Sequence, residues 1–315
     1  MQILVLGGTS FVGRAIVEDL VSRGHTPTLF TRGKTGPGLF PELTHLRGDR
    51  ESGDYASLAE GSWDAVVDVC AYVPRHVAEA SAAVQGRAGR YLFISTGSVY
   101  DAAVAVDGMT EETPRLPPYR ESEEITGETY GPLKVACEDD VLSRYGDAGT
   151  IVRPGVVAGP HDPTDRFTYW VRRAAEGGRV AVPRPEQPVQ VVDSTDLARL
   201  VTMLLEKDQG GIYNAVGPWP AVTLGELAQV CAEAAGTSVD VVPVGPEPGF
   251  PLALPPDGSL DVMFRRGASA AHEAGMPKTP LVDTARAVLA WDTERGHPEM
   301  PDAITREKEQ ELLSS

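Results

Sequence analysis

The first 34 residues carry the pattern that most constrains the fold of this chain. Residues 2–6 form a short apolar run, which predicts a strand buried on both faces. The segment Gly7-Gly8-Thr9-Ser10-Phe11-Val12-Gly13 follows at once, and apolar residues then recur at helical spacing up to Gly24. Residues 26–30 predict a second strand. In this order of strand, turn, helix and strand, backbone N–H groups and a helix N-terminus can hold the pyrophosphate of a dinucleotide.

The turn departs from the usual G-x-G-x-x-G spacing. Its glycines fall at positions 7, 8 and 13, and Ser10 holds the middle position of a G-x-x-G-x-x-G pattern. Because the turn lies between a buried strand and a helix, the sequence still predicts a dinucleotide site rather than a plain β–α turn. The residues expected to contact the cofactor here are Gly7, Thr9, Ser10, Phe11, Val12 and Gly13.

The end of the second strand discriminates between the two nicotinamide dinucleotides. An NAD site usually places Asp or Glu there to hold the ribose 2′-hydroxyl. This chain has Thr31-Arg32-Gly33-Lys34 at that point, with two cations and no carboxylate. A guanidinium matches a 2′-phosphate bidentately, so Arg32 favours NADP, with NAD as the alternative. Both cations are also compatible with solvated loop charges.

Apolar runs alternate with helical patterns through the first half of the chain. This predicts an α/β fold, a Rossmann-type doubly wound parallel sheet with a smaller, interleaved C-terminal substrate lobe. We expect residues 1–157 to form the dinucleotide-binding domain, residues 188–216 to return to it, and residues 158–315 to form mainly the substrate lobe. The pattern also predicts a strand at 189–193 and a helix at 266–275.

Ligands bind at the carboxyl ends of the strands in such sheets. The residues at strand ends that we expect to meet the cofactor are Asp49, Arg50, Cys70, Ala71 and Tyr72. Asp49 is placed to meet an adenine amino group, and a turn residue is an equally good interpretation.

Tyr130 and Lys134 are four residues apart in a predicted helix, which places both on one face. A phenol has a pKa of about 10 in water, and a nearby ammonium lowers it. We therefore predict that Lys134 lowers the pKa of Tyr130. Tyr130 would then act as general acid or base on a substrate oxygen while hydride moves at carbon, and Lys134 would also hold the nicotinamide ribose. An ordinary surface pair is the alternative.

A hydroxyl-rich turn, residues 95–100, follows the predicted fifth strand. Thr96 is the third predicted catalytic residue, since its hydroxyl can donate to the same substrate oxygen. Ser95 and Ser98 offer hydroxyls too, and spacing alone does not separate the three. Strand-end turn chemistry is the alternative for all of them.

Composition and charge limit the classes of partner that this chain can bind. The net charge is −17, and a surface that holds nucleic acid is usually basic, so we expect no nucleic-acid partner. The three cysteines are far apart and predict neither a disulfide framework nor a zinc site. No apolar run reaches the ~18 residues of a membrane span, and no basic segment or cleavage site marks a secretory signal. We expect a cytoplasmic protein that binds a small molecule and no metal.

These motifs together resemble the extended short-chain dehydrogenase/reductase family, also called the NAD-dependent epimerase/dehydratases. The matching stretches are residues 6–13, residues 95–100, Tyr130-x-x-x-Lys134, Arg153-Pro154, residues 191–198 and residues 211–214. The resemblance covers most of the chain and is weakest after about residue 246. In that family the Ser or Thr three residues before the Val-Tyr pair is catalytic, which selects Thr96.

The resemblance carries further expectations. The catalytic roles of the family's Tyr and Lys carry over to Tyr130 and Lys134, and Pro154, Gly155 and Val157 would contact the nicotinamide. A homodimer is possible, since relatives often dimerise through the helix that carries Tyr and Lys.

Two departures from the family pattern matter. Ser10 replaces the middle glycine, as in atypical branches of the family, and this branch resembles a plastid RNA-binding relative that keeps the fold for another use. Thr96 is followed by Gly97-Ser98 instead of the Asp-Glu of the sugar-nucleotide 4,6-dehydratases, which disfavours dehydration by that route.

The favoured function is an NAD(P)-dependent reductase or dehydrogenase acting on a carbonyl or alcohol carbon of a small polar, sugar-like molecule. A sugar or nucleotide-sugar epimerase with a retained cofactor is one alternative, and a non-catalytic dinucleotide-binding protein is another. We expect Ser98, His161 and Arg166 to line the substrate pocket, and Arg265 and Arg266 are weaker candidates.

Overall fold

The alternating apolar runs of the sequence become strands that are mostly parallel. The computed structural model describes residues 1–314. Its strands are β1 (Gln2–Leu6), β2 (Thr26–Thr31), β3 (Thr44–Arg47), β4 (Trp63–Asp68), β5 (Ala88–Ile94), β6 (Gly149–Pro154), β7 (Val156–Ala158), β8 (Gly178–Pro183), β9 (Pro188–Val189), β10 (Val191–Asp193), β11 (Gly211–Ala215), β12 (Val222–Thr223) and β13 (Val239–Val244). Its helices are α1 (Phe11–Ser22), α2 (Pro74–Ala83), α3 (Tyr130–Tyr145), α4 (Arg166–Ala175), α5 (Ser194–Glu206), α6 (Leu224–Ala235), α7 (Ser269–Ala274), α8 (Leu281–Glu294) and α9 (Arg306–Ser314).

The central sheet is doubly wound. Within residues 1–314 it has seven strands in the order β11-β6-β5-β4-β1-β2-β3, and every neighbouring pair is parallel. Because side chains alternate along a strand, Ile3 and Val5 of β1 enter a core with α1 and α5, whereas Leu4 and Leu6 enter a core with α2 and α3. The prediction of a Rossmann-type α/β fold is therefore confirmed.

The strand order reverses beside β1. The chain leaves β1 toward β2 and β3 on one side, and β4 returns on the other side. The segments that follow β1 and β4 consequently diverge and leave a cleft between them, which is where open α/β sheets bind ligands.

A third core belongs to the C-terminal lobe and joins α4, α6 and α8 to β8. The chain between 188 and 216 is shared: β11 pairs with β6 and α5 packs on α1, whereas β9 and β10 pair with β12 and β7. The strand predicted at 189–193 divides at Gln190, whose buried side-chain amide donates to main-chain carbonyls of Pro218 and Arg266.

The helix predicted at 266–275 begins only at Ser269. Residues 265–267 instead run alongside another loop, where the N–H of Gly108 donates to the carbonyl of Arg265 and the N–H of Gly267 donates to the carbonyl of Met109. No helix within the described residues is long and apolar enough to cross a bilayer.

Candidate active site

A cavity of about 700 Å³ lies at the carboxyl ends of the central strands, where the strand order reverses. Most of the predicted site residues line it. They are Gly7, Thr9, Ser10, Phe11, Val12, Gly13, Arg32, Asp49, Arg50, Cys70, Tyr72, Thr96, Ser98, Tyr130, Lys134, Pro154, Gly155, Val157 and Arg166.

Three predicted site residues lie outside the cavity lining. The weaker candidate Arg265 pairs with Asp107 at 3.1 Å instead. Ala71 is fully buried and offers the site only its main-chain carbonyl. The ring of His161 packs edge-on against Trp291, with 5.4 Å between the ring centroids. The structure thus corrects the assignment of His161 to the substrate pocket, because an aromatic contact within the C-terminal lobe holds its ring elsewhere.

The glycine-rich turn forms a cradle at one end of the cavity. Gly7 and Gly8 have φ of +105° and +95°, a conformation that side chains rarely adopt. A Cβ at Gly13 would lie 2.8 Å from the backbone nitrogen of Gly8, so α1 starts closer to the turn than any side chain would permit. No side chain caps the N-terminus of α1. Its N–H groups and dipole suit a pyrophosphate, and this end of the cavity therefore fits a dinucleotide.

The guanidinium of Arg50 is already committed to the protein. It donates to both carboxylate oxygens of Asp68, at 2.6 and 2.8 Å, and to the carbonyl of His76 at 2.9 Å. Burial acts to lower the pKa of Arg50, but the charges of Asp68 and Cys70 and the hydrogen bonds with Asp68 together outweigh it and raise this pKa well above its usual value. Arg50 therefore joins the segments that follow β3 and β4, and shapes the cavity wall rather than offering a free cation.

The structure separates the three hydroxyls that spacing left open. Ser95 is buried and donates to Glu138 Oε1 at 2.6 Å, so its hydroxyl is used within the protein. Thr96 Oγ1 accepts the N–H of Ser98 at 3.1 Å and also reaches the Tyr130 phenol. Thr96 is thus the hydroxyl that the fold brings to Tyr130.

Burial, Thr96 and Arg166 act on the pKa of Tyr130. Burial raises the pKa of Tyr130, while its hydrogen bond with Thr96 and the positive charge of Arg166 act in the opposite direction. Lys134 is not among these groups, because its ammonium donates to the carbonyls of Ala71 at 2.9 Å and Ile94 at 2.8 Å. The effect of the Lys134 ammonium on the pKa of Tyr130 therefore stays a prediction.

Lys134 is a buried ammonium at the cavity wall. It is 3 % exposed, and burial lowers its pKa to about 8. An ammonium has three donors, of which the two carbonyls occupy two. One N–H is left for a hydroxyl of a molecule bound in the cavity.

A buried ionic network fixes the helix that carries Tyr130 and Lys134. Glu138 of α3 is fully buried and accepts from Arg153 Nε at 3.0 Å, Arg153 Nη2 at 2.7 Å and Arg115 at 2.9 Å, besides Ser95. Burial acts to lower the pKa of Arg153, but its bonds with Glu138 and the charge of Glu138 raise it. The network ties α3 to the ends of β5 and β6, and so it sets where the first residue of α3 stands.

This network gives a structural role to Arg153 and to the residue 211–214 motif, for which the sequence indicated none. Arg153 also donates to the Tyr100 hydroxyl at 2.9 Å, and that hydroxyl donates to Asn214 Oδ1 at 2.6 Å. The Arg153-Pro154 and residue 211–214 motifs therefore belong to one hydrogen-bonded unit that joins β6, β11 and the turn after β5.

The far end of the cavity is lined by the C-terminal lobe. Asp162 accepts two hydrogen bonds from Thr164, and burial raises the pKa of Asp162. Met263, Phe264 and Arg266 also line this end. Sequence reasoning missed the first two and ranked Arg266 low, since no periodicity or motif marks the loop that carries them.

The comparisons with known proteins agree with this geometry. The model of the NAD dependent epimerase/dehydratase family matches residues 63–216, the span that contains Thr96, Tyr130 and Lys134. The chloroplast stem-loop binding protein of 41 kDa b from Arabidopsis thaliana is 28% identical over 257 residues, which cover 75% of this chain and 63% of that protein. The chain therefore spans less than two thirds of this curated relative's length.

Two solved structures show the shared fold. The UDP-glucose 4-epimerase from Thermotoga maritima, solved with UDP-glucose, is similar with a TM-score of 0.72 at 18% identity, over 94% of this chain and 99% of that chain. The enzyme WbmH from Bordetella bronchiseptica, solved in complex with NAD+, is similar with a TM-score of 0.66 at 21% identity, over 94% and 99% of the two chains.

Proposed function

We propose that the chain belongs to the NAD-dependent epimerase/dehydratase family, whose model matches residues 63–216, and that it is an NADP-dependent reductase or dehydrogenase of a small polar hydroxy or oxo compound. One observation carries the proposal: a single cavity joins the glycine cradle to Thr96, Tyr130 and Lys134. A nicotinamide cofactor would lie in the cradle and supply or accept hydride when bound.

The chain's own residues supply the proton chemistry. In the reducing direction, Tyr130 gives its phenolic proton to the carbonyl oxygen as the carbon receives hydride, and the phenolate later takes a proton from water. Thr96 donates its hydroxyl proton to the same oxygen. Lys134 holds a ribose hydroxyl with its remaining N–H.

The preference for NADP rests on the end of β2. Arg32 and Lys34 line the cavity there, and Arg47 donates to Thr31 Oγ1 at 2.7 Å, next to the same turn. Three cations beside the adenosine end suit a 2′-phosphate, and the segment 29–34 has no carboxylate for a free 2′-hydroxyl.

Two other functions are alternatives to this proposal, an epimerase and a nucleic-acid-binding protein. An epimerase would use Thr96, Tyr130 and Lys134 in both directions and retain its cofactor, as the family name allows. Stem-loop binding is what the name of the Arabidopsis relative states for that protein. The net charge of −17 argues against a polyanionic partner for this chain.

The test starts with the cofactor. The purified protein is denatured and any released dinucleotide is identified, and the emptied protein is then titrated with NADPH and NADH. We expect an exchangeable site that binds NADPH at least tenfold more tightly, and Arg32→Glu should remove this preference while NADH affinity is retained. Stoichiometric tightly held NAD+ would instead support a recycling epimerase and overturn the proposal.

A second arm tests the chemistry. Tyr130→Phe should lower carbonyl reduction by roughly 10²–10⁴-fold while NADPH still binds, since only the proton donor is removed. Arg286→Gln, at an exposed pair on α8, is the matched control and should change neither quantity. Unchanged turnover in Tyr130→Phe would refute the assignment of Tyr130.

A further inference from the structure

Arg266 is a buried cation for which the described residues provide no ion pair. The other buried arginines pair with a carboxylate: Arg50 with Asp68, Arg90 with Asp208, Arg153 with Glu138 and Arg173 with Glu309. Arg266 is 4 % exposed, and its Nε and Nη1 have no hydrogen-bond partner among residues 1–314. Burial lowers the pKa of Arg266 to about 10, so the guanidinium still carries its charge at neutral pH. Since buried charges are stable only when paired, this one calls for an anion from outside the chain.

The backbone holds Arg266 firmly in this position. The N–H of Arg266 donates to Gln190 Oε1 at 2.9 Å, and Gln190 Nε2 donates back to the carbonyl of Arg266 at 2.9 Å. Gln190 is itself fully buried. Because both neighbouring residues are also bonded to the 108–109 loop, the guanidinium is presented from a fixed frame rather than from a free loop.

The guanidinium reaches the reacting end of the cavity. A Cβ at Gly97 would lie 1.3 Å from Arg266 Nη1, and a Cβ at Gly155 would lie 3.0 Å from Nη2. Arg266 therefore fills the space that side chains at these two positions would need. Gly97 directly follows Thr96, and Gly155 lies in the segment predicted to contact the nicotinamide.

From this placement we infer that Arg266 binds a carboxylate of the substrate, and that the substrate is a hydroxy acid or oxo acid. The inference rests on the proposed function for the identity of the reacting carbon. Because Arg266 lies against the residue next to Thr96, the carboxylate lies close to that carbon. Since Nε and Nη1 are buried, Nη2 is the guanidinium nitrogen left to donate a charge-assisted hydrogen bond to the carboxylate.

The binding test uses stated probes. With NADP+ saturating, the wild-type protein is titrated calorimetrically with D-glycerate, D-glucuronate, the neutral amide of each acid, and inorganic phosphate. We expect binding of at least one acid and no binding of its amide. Arg266→Gln should weaken binding of the acid roughly 30-fold or more, because the charged partner of the carboxylate is lost. Arg286→Gln, at an exposed arginine of α8 outside the cavity lining, is the control and should leave binding of the acid unchanged.

A stability measurement needs no known substrate. Without ligand, Arg266→Met should raise Tm, since an unpaired buried charge is removed. Arg50→Met should lower Tm, because Arg50 is the ion-pair partner of the buried Asp68 among the described residues. Gly97→Ala provides a second binding variant, since its methyl group must displace the guanidinium. Gly97→Ala should weaken binding of the acid although Arg266 is still present.

The outcomes separate the inference from the proposed function. Phosphate binding in preference to both acids, failure of both acids to bind, or a lower Tm in Arg266→Met would overturn the carboxylate assignment. If the wild-type protein binds the acid but does not prefer NADPH over NADH, the proposed function is overturned and the carboxylate assignment stands. Acid binding that is equal in the wild type and Arg266→Gln would assign the anion to another residue.

Discussion

Replacement of Glu138 by Gln tests whether the buried ionic network holds the catalytic helix in place. The side chain of Glu138 is fully buried and accepts hydrogen bonds from Arg153, Arg115 and Ser95. Gln has nearly the same shape but no charge, so Glu138→Gln leaves the guanidinium of Arg153 buried without a counter-ion.

The expected cost follows from that uncompensated charge. Loss of one partner of a buried ion pair destabilises a protein by about 3–5 kcal/mol. With an unfolding entropy of roughly 2.1 cal/mol/K per residue, a chain of 315 residues would lose roughly 5–8 °C in Tm. Melting followed by far-UV circular dichroism at pH 7 measures this shift. Carbonyl reduction should fall too, because α3 carries Tyr130.

Two comparisons make the test decisive. Arg286→Gln breaks an ion pair whose side chains are 53 % and 50 % exposed and should change the free energy of unfolding by no more than about 1 kcal/mol. The double variant Glu138→Leu with Arg153→Met should be less destabilised than the sum of the two single variants, since neither charge is then left alone. A Tm of Glu138→Gln that matches the Arg286→Gln control, or strict additivity in the double variant, would refute this reasoning.

Three further predictions concern the cradle, Lys134 and acid stability. Gly13→Ala should weaken NADPH binding at least tenfold, because its Cβ would lie 2.8 Å from the backbone nitrogen of Gly8. Gly127→Ala, where a Cβ meets open space, should leave NADPH binding unchanged. Fluorescence titration with NADPH compares the two variants. NADPH affinity should fall as pH rises through about 8, because Lys134 then becomes a neutral amine whose two donors are already used by the carbonyls of Ala71 and Ile94. Lys134→Met should remove this pH dependence. Burial acts to raise the pKa of Asp292, but hydrogen bonds from Arg172, His297 and Arg295 outweigh it and lower this pKa to about 2. The stability that the Asp292 carboxylate confers is thus fully present above about pH 4 and is lost as pH falls through about 2, so the Tm difference between wild type and Asp292→Asn should shrink from pH 6 to pH 2.5.

Much of the fold could be predicted because its signals are local. The apolar run of β1, the glycine turn and the spacing of Tyr130 and Lys134 each lie within a few residues, and backbone geometry converts such spacing directly into strand, turn or helix face. The α6 helix is a similar case, because a Thr with a Glu three residues later marks a helix start, and the structure shows Thr223 and Glu226 in a full capping box.

Other features depended on pairing between distant parts of the chain. Spacing alone left Ser95, Thr96 and Ser98 equivalent, and the bond from Ser95 to Glu138, 43 residues away, removes Ser95 from the choice. The same limit applies to Lys134, whose ammonium is held by carbonyls 63 and 40 residues away.

The sequence by itself determined the doubly wound sheet, the place of the glycine cradle and the helix that carries Tyr130 and Lys134, because hydrogen-bonding periodicity and glycine conformation act over short stretches of chain. Only the tertiary structure decided which hydroxyl meets Tyr130, where the ammonium of Lys134 is directed, and that Arg266 lies buried and unpaired against Gly97. Burial and charge pairing are properties of the folded surroundings, and no spacing along the chain encodes which distant groups a side chain will meet.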